Sequence, residues 1–374
     1  MANWGEVGQI TVKLIQTPDD IRDMARGAVF LGAGGGGDPQ IGELFLHNQL
    51  THGRTPNVVT ADALDDDAFV ISIAGIGAPT VLVEYLVSET HLLDLLKKAE
   101  AFFGKTIDAL ISAEIGGANS MFPLALSALT GLPVVDADGM GRAFPHLEMT
   151  TFSVYGAKAT PAIVTDELGN IVTLDVLTDR LAEETLRPVV GALGAMVFSA
   201  IYPMSGKFVK DHAVHGSVSQ SLAIGRCIRQ GREASEDVFA TLLEYLNRPV
   251  DDRHAILLFD GKVIDVSHET RDGWHWGKVT LKPLDNGPDE FEIEIQNEYI
   301  IARKNGQPAA LVPELITVLD RETAEPLTGE MLRYGLRVKV LGYSSAPIMR
   351  RPECLEVWGP KAFGLDMEFK PIVA

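Results

Sequence analysis

Cysteine is scarce in this chain. Cys227 and Cys354 are the two among 374 residues. They lie far apart and outside any metal-type spacing, which argues against a disulfide scaffold and suits a reducing compartment. Clustered lysine and arginine are missing as well. With 32 basic against 51 acidic residues and a formal charge of -19, the chain is unsuited to a nucleic acid or an anionic membrane, and a small molecule is the expected partner. Long hydrophobic runs are also lacking. The most apolar long window, Val189 to Met204, is broken by Gly191, Gly194 and Ser199 and is too short to span a bilayer. Near the N terminus Glu6 and Gln9 occupy the stretch where a signal peptide would be apolar. A cytoplasmic protein follows as the expectation. There is no internal repeat and no low-complexity segment, and the length exceeds that of one ordinary core, so two domains are expected.

Glycine, by contrast, is abundant and placed in a pattern. Leu31-Gly32-Ala33-Gly34-Gly35-Gly36-Gly37-Asp38-Pro39 follows a short apolar run, Ala28 to Leu31, that is predicted as a strand. Consecutive glycines let the backbone take positive φ and let a ligand touch the main-chain N–H groups of Gly34, Gly35, Gly36 and Gly37. Asp38 is predicted as an N-cap and Pro39 as the first residue of a helix, ending the loop at a positive helix pole. The punctuation returns after three further apolar runs, at Ala74 to Pro79 with Gly77, at Glu114 to Asn119 with Gly117, and at Asp136 to Arg142.

The fold expected is α/β, with an N-terminal, mostly parallel α/β/α sheet domain (residues 1–175) and a second, β-rich α+β domain (residues 176–374). The boundary is expected near residues 170 to 185. In the first half apolar β-type runs alternate with segments of helical spacing: strands at Asn57 to Thr60, Phe69 to Ala74, Asp108 to Ala113 and Val134 to Val135, and helices at Thr17 to Arg26, Pro39 to Leu50, Val81 to Phe103 and Pro123 to Leu129. Glu84, in the first turn of the third helix, suits a dipole partner. Strands apolar on both faces and separated by helices belong in a parallel sheet, whose strand-to-helix loops gather at the carboxyl edge where ligands bind. Later come a hairpin at Asp166 to Asn170 and helices at Asp179 to Val190, Ser217 to Arg232 and Ser235 to Asn247. A run of strands follows from His254, with a tight Asp260-Gly261 turn between Ile256–Phe259 and Val263–Val266 and another turn at Asn305-Gly306.

Several residue sets suggest chemistry. Gly32, Gly34 and Gly37 satisfy G-x-G-x-x-G, which admits a nicotinamide or flavin cofactor, although Asp62 comes late for the expected ribose acid. Tight packing without a ligand and a small-ligand or anion cradle are the other readings. No Gly-Lys-Ser/Thr follows, which argues against an ATP site. Asp136 and Asp138, two apart at a strand end, would face the same side and could shift each other's pKa for proton transfer, hold a divalent cation, or merely cap a turn. Arg142 shares their loop, with His146 and Glu148 behind it. Glu114 ends an apolar strand, where a charge is costly unless functional or paired, Arg142 being the obvious pair. Asn119 stands in the loop behind it. His212 and His215 have a spacing seen in metal sites but no third ligand in view. Arg226 and Arg229 share a helical face and could hold a carboxylate, though solvated charges are commoner.

Leu31 to Pro39, Gly77-Ala78-Pro79-Thr80 with Glu84, Glu114 to Asn119, Asp136 to Phe144, Met149-Thr150-Thr151-Phe152, Gly225 to Ile228 and Gly359 to Gly364 together resemble the S-methyl thiohydantoin desulfurase family over nearly the whole chain. The resemblance implies an α/β N-terminal and a β-rich C-terminal domain, and hydantoin-type ring metabolism alongside hydantoinase/oxoprolinase-like proteins. It carries over no catalytic residues. Water attack on the sulfur-bearing ring carbon needs a base, donors for developing negative charge and a proton source. Asp136 or Asp138 is the expected base, the Gly34–Gly37 amides or Asn119 the charge stabilisers, and Arg142 the residue that orients the ring. The alternatives are a non-catalytic ligand-binding or partner subunit of a hydantoinase/oxoprolinase-type enzyme and a dinucleotide-dependent oxidoreductase. A homo-oligomer is expected.

Overall fold

The computed structural model describes residues 11–12, 14–77, 81, 88–235, 237–249, 252–271, 274–285 and 287–373. An eight-stranded mixed sheet forms the first layer, in the order β1-β2-β5-β4-β3-β9-β7-β8. Its strands are β1 (Thr11–Val12), β2 (Asn57–Val59), β3 (Phe69–Gly77), β4 (Ala109–Ile111), β5 (Pro133–Val135), β7 (Ala162–Thr165), β8 (Ile171–Leu174) and β9 (Met196–Ser205). Between β2 and β3 the pairing is parallel throughout. The remaining pairs, including β3 with β9, are antiparallel. Successive β3 residues serve opposite faces: Ile71 and Ile73 join one core with α3 (Glu89–Phe103) and α4 (Gly117–Thr130), and Val70 and Ala74 join the other. The sheet is thus covered on both faces, as near-continuous apolar strands require. α3 and α4 each stop at a glycine in left-handed conformation, Gly104 (φ 62°) and Gly131 (φ 81°). Ala78 to Thr80 and residues 82–87, with Glu84 and the start of the helix expected from Val81, lie outside the described residues.

Two expectations fail at the ends of elements. Ala28 to Leu31 is not a strand but the last turn of α1 (Pro18–Leu31), which opens on a capping box between Thr17 and Asp20. Val29, Phe30 and Leu31 are buried all round the helix, so no amphipathic period marks it. The next helix, α2 (Gln40–Thr51), has Pro39 at its cap position, while Asp38 still accepts from the Gln40 N–H at 2.9 Å.

α1 crosses α8 (Ser217–Glu233) at a contact that only glycine permits. A Cβ on Gly27 would overlap the Ser221 carbonyl, and one on Gly225 would overlap the Asp23 carbonyl. Charges then lock the crossing. Asp23, with no exposed surface, takes both oxygens' worth of hydrogen bonds from Arg229 (2.8–3.1 Å) and one from Arg26 (3.0 Å), Arg226 reaches Asp20 at 2.7 Å, and Arg232 and Arg26 both reach Glu325. Arg226 and Arg229 therefore hold carboxylates of their own chain.

The second sheet is antiparallel throughout, in the order β15-β14-β13-β12-β11-β18-β16-β17. It comprises β11 (Ala255–Arg271), β12 (Trp274–Lys282), β13 (Phe291–Gln296), β14 (Glu298–Lys304), β15 (Gln307–Leu311), β16 (Leu315–Asp320), β17 (Pro326–Leu327) and β18 (Arg337–Tyr343). Asn305 and Gly306 turn β14 into β15 with positive φ at both residues, as the sequence suggests. The Asp260-Gly261 turn does not exist: β11 runs straight through it. Asp260 is bound by Arg321 at 2.7 Å, and Gly261 is a glycine because the Lys282 carbonyl of the paired strand lies where its Cβ would be.

The α1–α8 crossing yields a stability prediction. Gly225→Ala forces two helix backbones apart and is expected to cost about 1–3 kcal/mol as an overpacking change. Asp23→Ala takes a fully buried partner from Arg229 and Arg26, leaving them Glu233 and Glu325, and is expected to cost roughly 1.5–3 kcal/mol. Denaturant unfolding of each variant measures both.

A buried carboxyl cluster between the two sheets

Parallel order places the carboxyl ends of β3, β4 and β5 side by side, and the loops that leave them converge. The loop after β4 reaches Glu114. The loop after β5 carries β6 (Ala137–Asp138), which pairs with β10 (Val214–His215). The 32–38 loop arrives from a helix rather than a strand, so the strand-loop-helix setting of a dinucleotide fingerprint is absent around Gly32, Gly34 and Gly37.

Most of the glycine run is consumed by close packing. Gly34 (φ 92°) faces the Tyr299 ring, whose carbons would lie 2.7 Å from a Cβ, and the Gly35 position is filled by the Glu298 side chain. Gly36 and Gly117 meet main chain to main chain, with the Ala118 N–H on the Gly36 carbonyl at 2.9 Å. The Tyr299 and Gly329 N–H groups bond the Ala33 and Gly34 carbonyls at 2.8 and 2.9 Å. The expected cradle is therefore corrected for Gly34, Gly35 and Gly117, whose missing side chains make room for β14 and for the loop itself. Gly36 and Gly37 are half-buried, Asp38 is exposed, and among the described residues the Gly36 and Gly37 N–H groups have no backbone partner. Gly77 is also corrected. It pairs with Met196 in the β3–β9 ladder, where a Cβ would overlap the Ala195 carbonyl.

Glu114 and Asn119 form one unit. The Asn119 amide donates to Glu114 Oε1 at 2.6 Å and to the Gly75 carbonyl at 3.2 Å, and its oxygen accepts from the Gly75 N–H at 2.7 Å. Asn119 is thus a clamp that ties two loops together and aims Glu114, not a free ligand donor. Glu114 keeps some exposed surface, but its carboxyl is surrounded by protein. Burial pushes it up to about 7 against the Asn119 hydrogen bond, and the nearby Asp138 carboxyl adds to the rise.

Asp138 has no exposed surface. Its Oδ2 accepts from the N–H groups of Ile115 (2.9 Å), Met140 (3.0 Å) and Gly141 (2.8 Å), yet burial outweighs these bonds and holds the carboxyl up at about 7. The Ser217 hydroxyl stands beside this carboxyl and, with the three N–H groups, works against the rise. Asp136 does not join it. The Asp136 carboxyl accepts from the Ser219 N–H at 2.9 Å at the start of α8, which is the capping reading of the sequence. Asp136 thus caps α8 and stands apart from the Asp138 carboxyl's hydrogen bonds.

Arg142 is corrected as well. It is fully buried, and its nitrogens donate to the main-chain carbonyls of Ala143, Pro313, Glu314 and Tyr299 at 2.9–3.3 Å. It does not pair with Glu114 by hydrogen bond, and four of its five N–H donors are taken by main-chain carbonyls. Burial lowers its pKa to about 10 despite the opposing charges of Glu298 and Glu314.

Glu298 was not singled out by the sequence. It opens β14 beneath the glycine loop, is 4% exposed, and leaves Oε2 without a partner. Burial first, and then the Glu114 charge, raise it well above the ordinary carboxyl range. The signal was present: an acid standing directly before the apolar run Tyr299–Ile301 raises the same question that singled out Glu114.

The histidines lie elsewhere. His212 stacks on Tyr155 with ring centres 4.5 Å apart, while His215 is exposed in β10. Among the described residues no group of three or more His, Cys, Asp or Glu is arranged to hold a metal ion. His146 and Glu148 lie beside α6 (Asp179–Ala192), where burial lowers His146 and raises Glu148. No helix among the described residues is long and apolar enough to cross a membrane.

A carboxyl with a raised native pKa binds protons that the unfolded chain has already lost, so its contribution to stability is full below about pH 4 and is lost as pH rises through about 7. For Asp138 the span is on the order of 4 kcal/mol. Guanidinium unfolding at pH 5 and pH 8 should show the wild type losing several kcal/mol more than Asp138→Asn, whose neutral amide keeps the acceptor for the three N–H groups. Equal losses would mean that Asp138 is ionised throughout.

Comparison with known proteins agrees with this two-part architecture. No curated protein matches the chain. A crystal structure of a protein from Chromobacterium violaceum superposes with a TM-score of 0.80, covering 96% of this chain and 99% of that one at 24% identity, which is a likeness of fold. The descriptions "S-Me-THD-like, N-terminal domain" and "S-Me-THD-like, C-terminal domain" match residues 19–176 and 177–372. The chain therefore belongs to the S-methyl thiohydantoin desulfurase family.

Proposed function

We propose that this protein is a hydrolase acting on a small hydantoin-like ring, converting an S-methyl thiohydantoin and water into the hydantoin and methanethiol. The observation that carries this reading is the buried pair Glu114 and Asp138, in which burial pushes both carboxyls up to about 7 and the Asp138 charge adds to the rise of Glu114. Two such carboxyls can divide the work of base and acid at neutral pH. Glu114, which retains exposed surface and is steadied by Asn119, takes a proton from water as its oxygen bonds to the ring carbon. The carbon–sulfur bond then breaks, and the departing thiolate receives a proton from the acid partner. The Gly36 and Gly37 N–H groups, without a backbone partner among the described residues, would meet negative charge on the ring. Because the product is a hydantoin, a hydantoinase/oxoprolinase-type enzyme is the natural partner for the next step.

The test is methanethiol release from an S-methyl thiohydantoin by purified protein. Glu114→Gln and Asp138→Asn are expected to lower kcat/KM by roughly 10²–10⁴-fold, the range for general acid–base groups. The wild-type profile should be bell-shaped around pH 7, with apparent pKa values belonging to the pair. Glu114→Gln should remove its acid limb. Unchanged turnover in both folded variants would overturn the assignment, and binding of the ring without thiol release would favour a non-catalytic subunit.

A further inference from the structure

Both sheets are open, so each ends in strands with unpaired main-chain groups, and such edges are blunted in stable proteins by proline, by charge or by shortness. Three of the four ends follow that rule. β1 and β17 have two residues each, β17 begins with Pro326, and β15 contains Pro308. The length of β11 beyond Val263, where β18 no longer pairs with it, carries Asp265, His268 and Glu269. β8 differs. Its Ile171-Val172-Thr173-Leu174 run has no proline and no charge, and β7 is its one strand partner among the described residues. Large apolar side chains stand open along it: Ile171 in the strand, Leu168 (78% exposed) in the turn before it and Leu177 (81% exposed) in the chain after it.

The strand is matched by its own copy. A two-fold axis perpendicular to the sheet pairs β8 antiparallel with itself, and the pleat keeps every side chain on its own face only when that axis passes through a residue. Along this segment Ile171, Thr173, Asp175 and Leu177 are exposed, while Val172, Leu174 and Val176 are half-buried on the other face. With the axis at Leu174, Ile171 lies opposite the partner's Leu177 and Thr173 opposite the partner's Asp175, each contact occurring twice. The open apolar groups then cover one another. Charge selects the same register. Glu167 comes level with the start of the partner's α6, where Arg180 is exposed, and no carboxylate faces another. An axis at Thr173 would set Glu167 against the partner's Asp179, and one at Val172 would set Leu177 against the partner's Glu167.

We propose that β8 is the interface of a symmetric homodimer, in which the first sheets of two copies join into one across an axis at Leu174. The pairing does not rest on the desulfurase reading. Light scattering after gel filtration should give the wild-type protein twice the 40.4 kDa mass of one chain. Ile171→Lys with Leu177→Lys sets lysine opposite lysine and should give the single-chain mass, with the circular dichroism spectrum unchanged because both side chains are exposed. Thr173→Cys with Asp175→Cys places cysteines directly opposite one another, with Cβ atoms about 4.5–5.5 Å apart, and should cross-link two chains on oxidation. Ile171→Cys with Asp175→Cys, opposed only about an axis at Thr173, should not. Both are read against the wild-type chain, whose Cys227 and Cys354 set the background. A monomeric wild type overturns the proposal, as does a dimer that the lysine variant leaves intact or one that cross-links only through the second cysteine pair.

Discussion

A guanidinium sealed from water organises this molecule. Arg142 leaves the first domain's β5 loop and hydrogen-bonds the main chain at Tyr299, Pro313 and Glu314, which flank or begin strands of the second sheet. A buried cation is tolerated when its donors are satisfied and counter-charge is near. Four carbonyls supply the first condition, and Glu298 and Glu314 the second. Glu314 is itself pinned by the N–H groups of Ser345 and Ile372, so the same knot ties down the end of the chain. With Arg142 fixed, the Tyr299 ring and the Glu298 carboxyl are pressed onto Gly34 and Gly35, and the glycine run becomes a requirement of packing. That packing also dries the space around Asp138 and Glu114, and desolvation is the first cause of both raised pKa values.

The elements legible in the sequence were those whose cause is local. Strands β3, β4 and β5 announce themselves as apolar runs between helices, and once they are parallel their loops must share an edge, so Glu114 and Asp138 could be expected at one site. What stayed hidden depends on partners distant in sequence. Ala28 to Leu31 looks like a strand because α1 is buried on every side by then. Asp260-Gly261 looks like a turn because the reason for that glycine, the Lys282 carbonyl, belongs to the neighbouring strand. Asp136 and Asp138 differ by two positions and would share a side on a regular strand. Instead a helix end claims one, and three amides of the surrounding loops claim the other. Glu298 shows in the sequence as an acid beside an apolar run, but its filling of the space left by Gly35, far away in the chain, does not.

The division into two family domains also looks different in space. β9 follows residue 176 in sequence, yet it lies against β3 in the middle of the first sheet, and α8 packs on α1. The second half of the chain thus helps to build the sheet on whose edge the site stands. A site assembled in this way forms only when both halves are folded and joined. Glu298 would not have its present environment in an isolated half, because Glu114, on the other side of the division, adds to its rise.

This mutual dependence sets the chemistry the cluster can support. Three carboxyls share a space poor in water with one guanidinium that carbonyls already hold. Ionising one of them makes ionising the next harder, since each lies within electrostatic reach of another. The cluster therefore holds protons at neutral pH and resists losing more than one. For a ring that must surrender a thiolate while water loses a proton, such a group offers a proton and a place for one at the same time. In the hydrolase proposed above, the glycine amides would meet the developing charge without a positive side chain, while the arginine holds main-chain carbonyls of the second sheet.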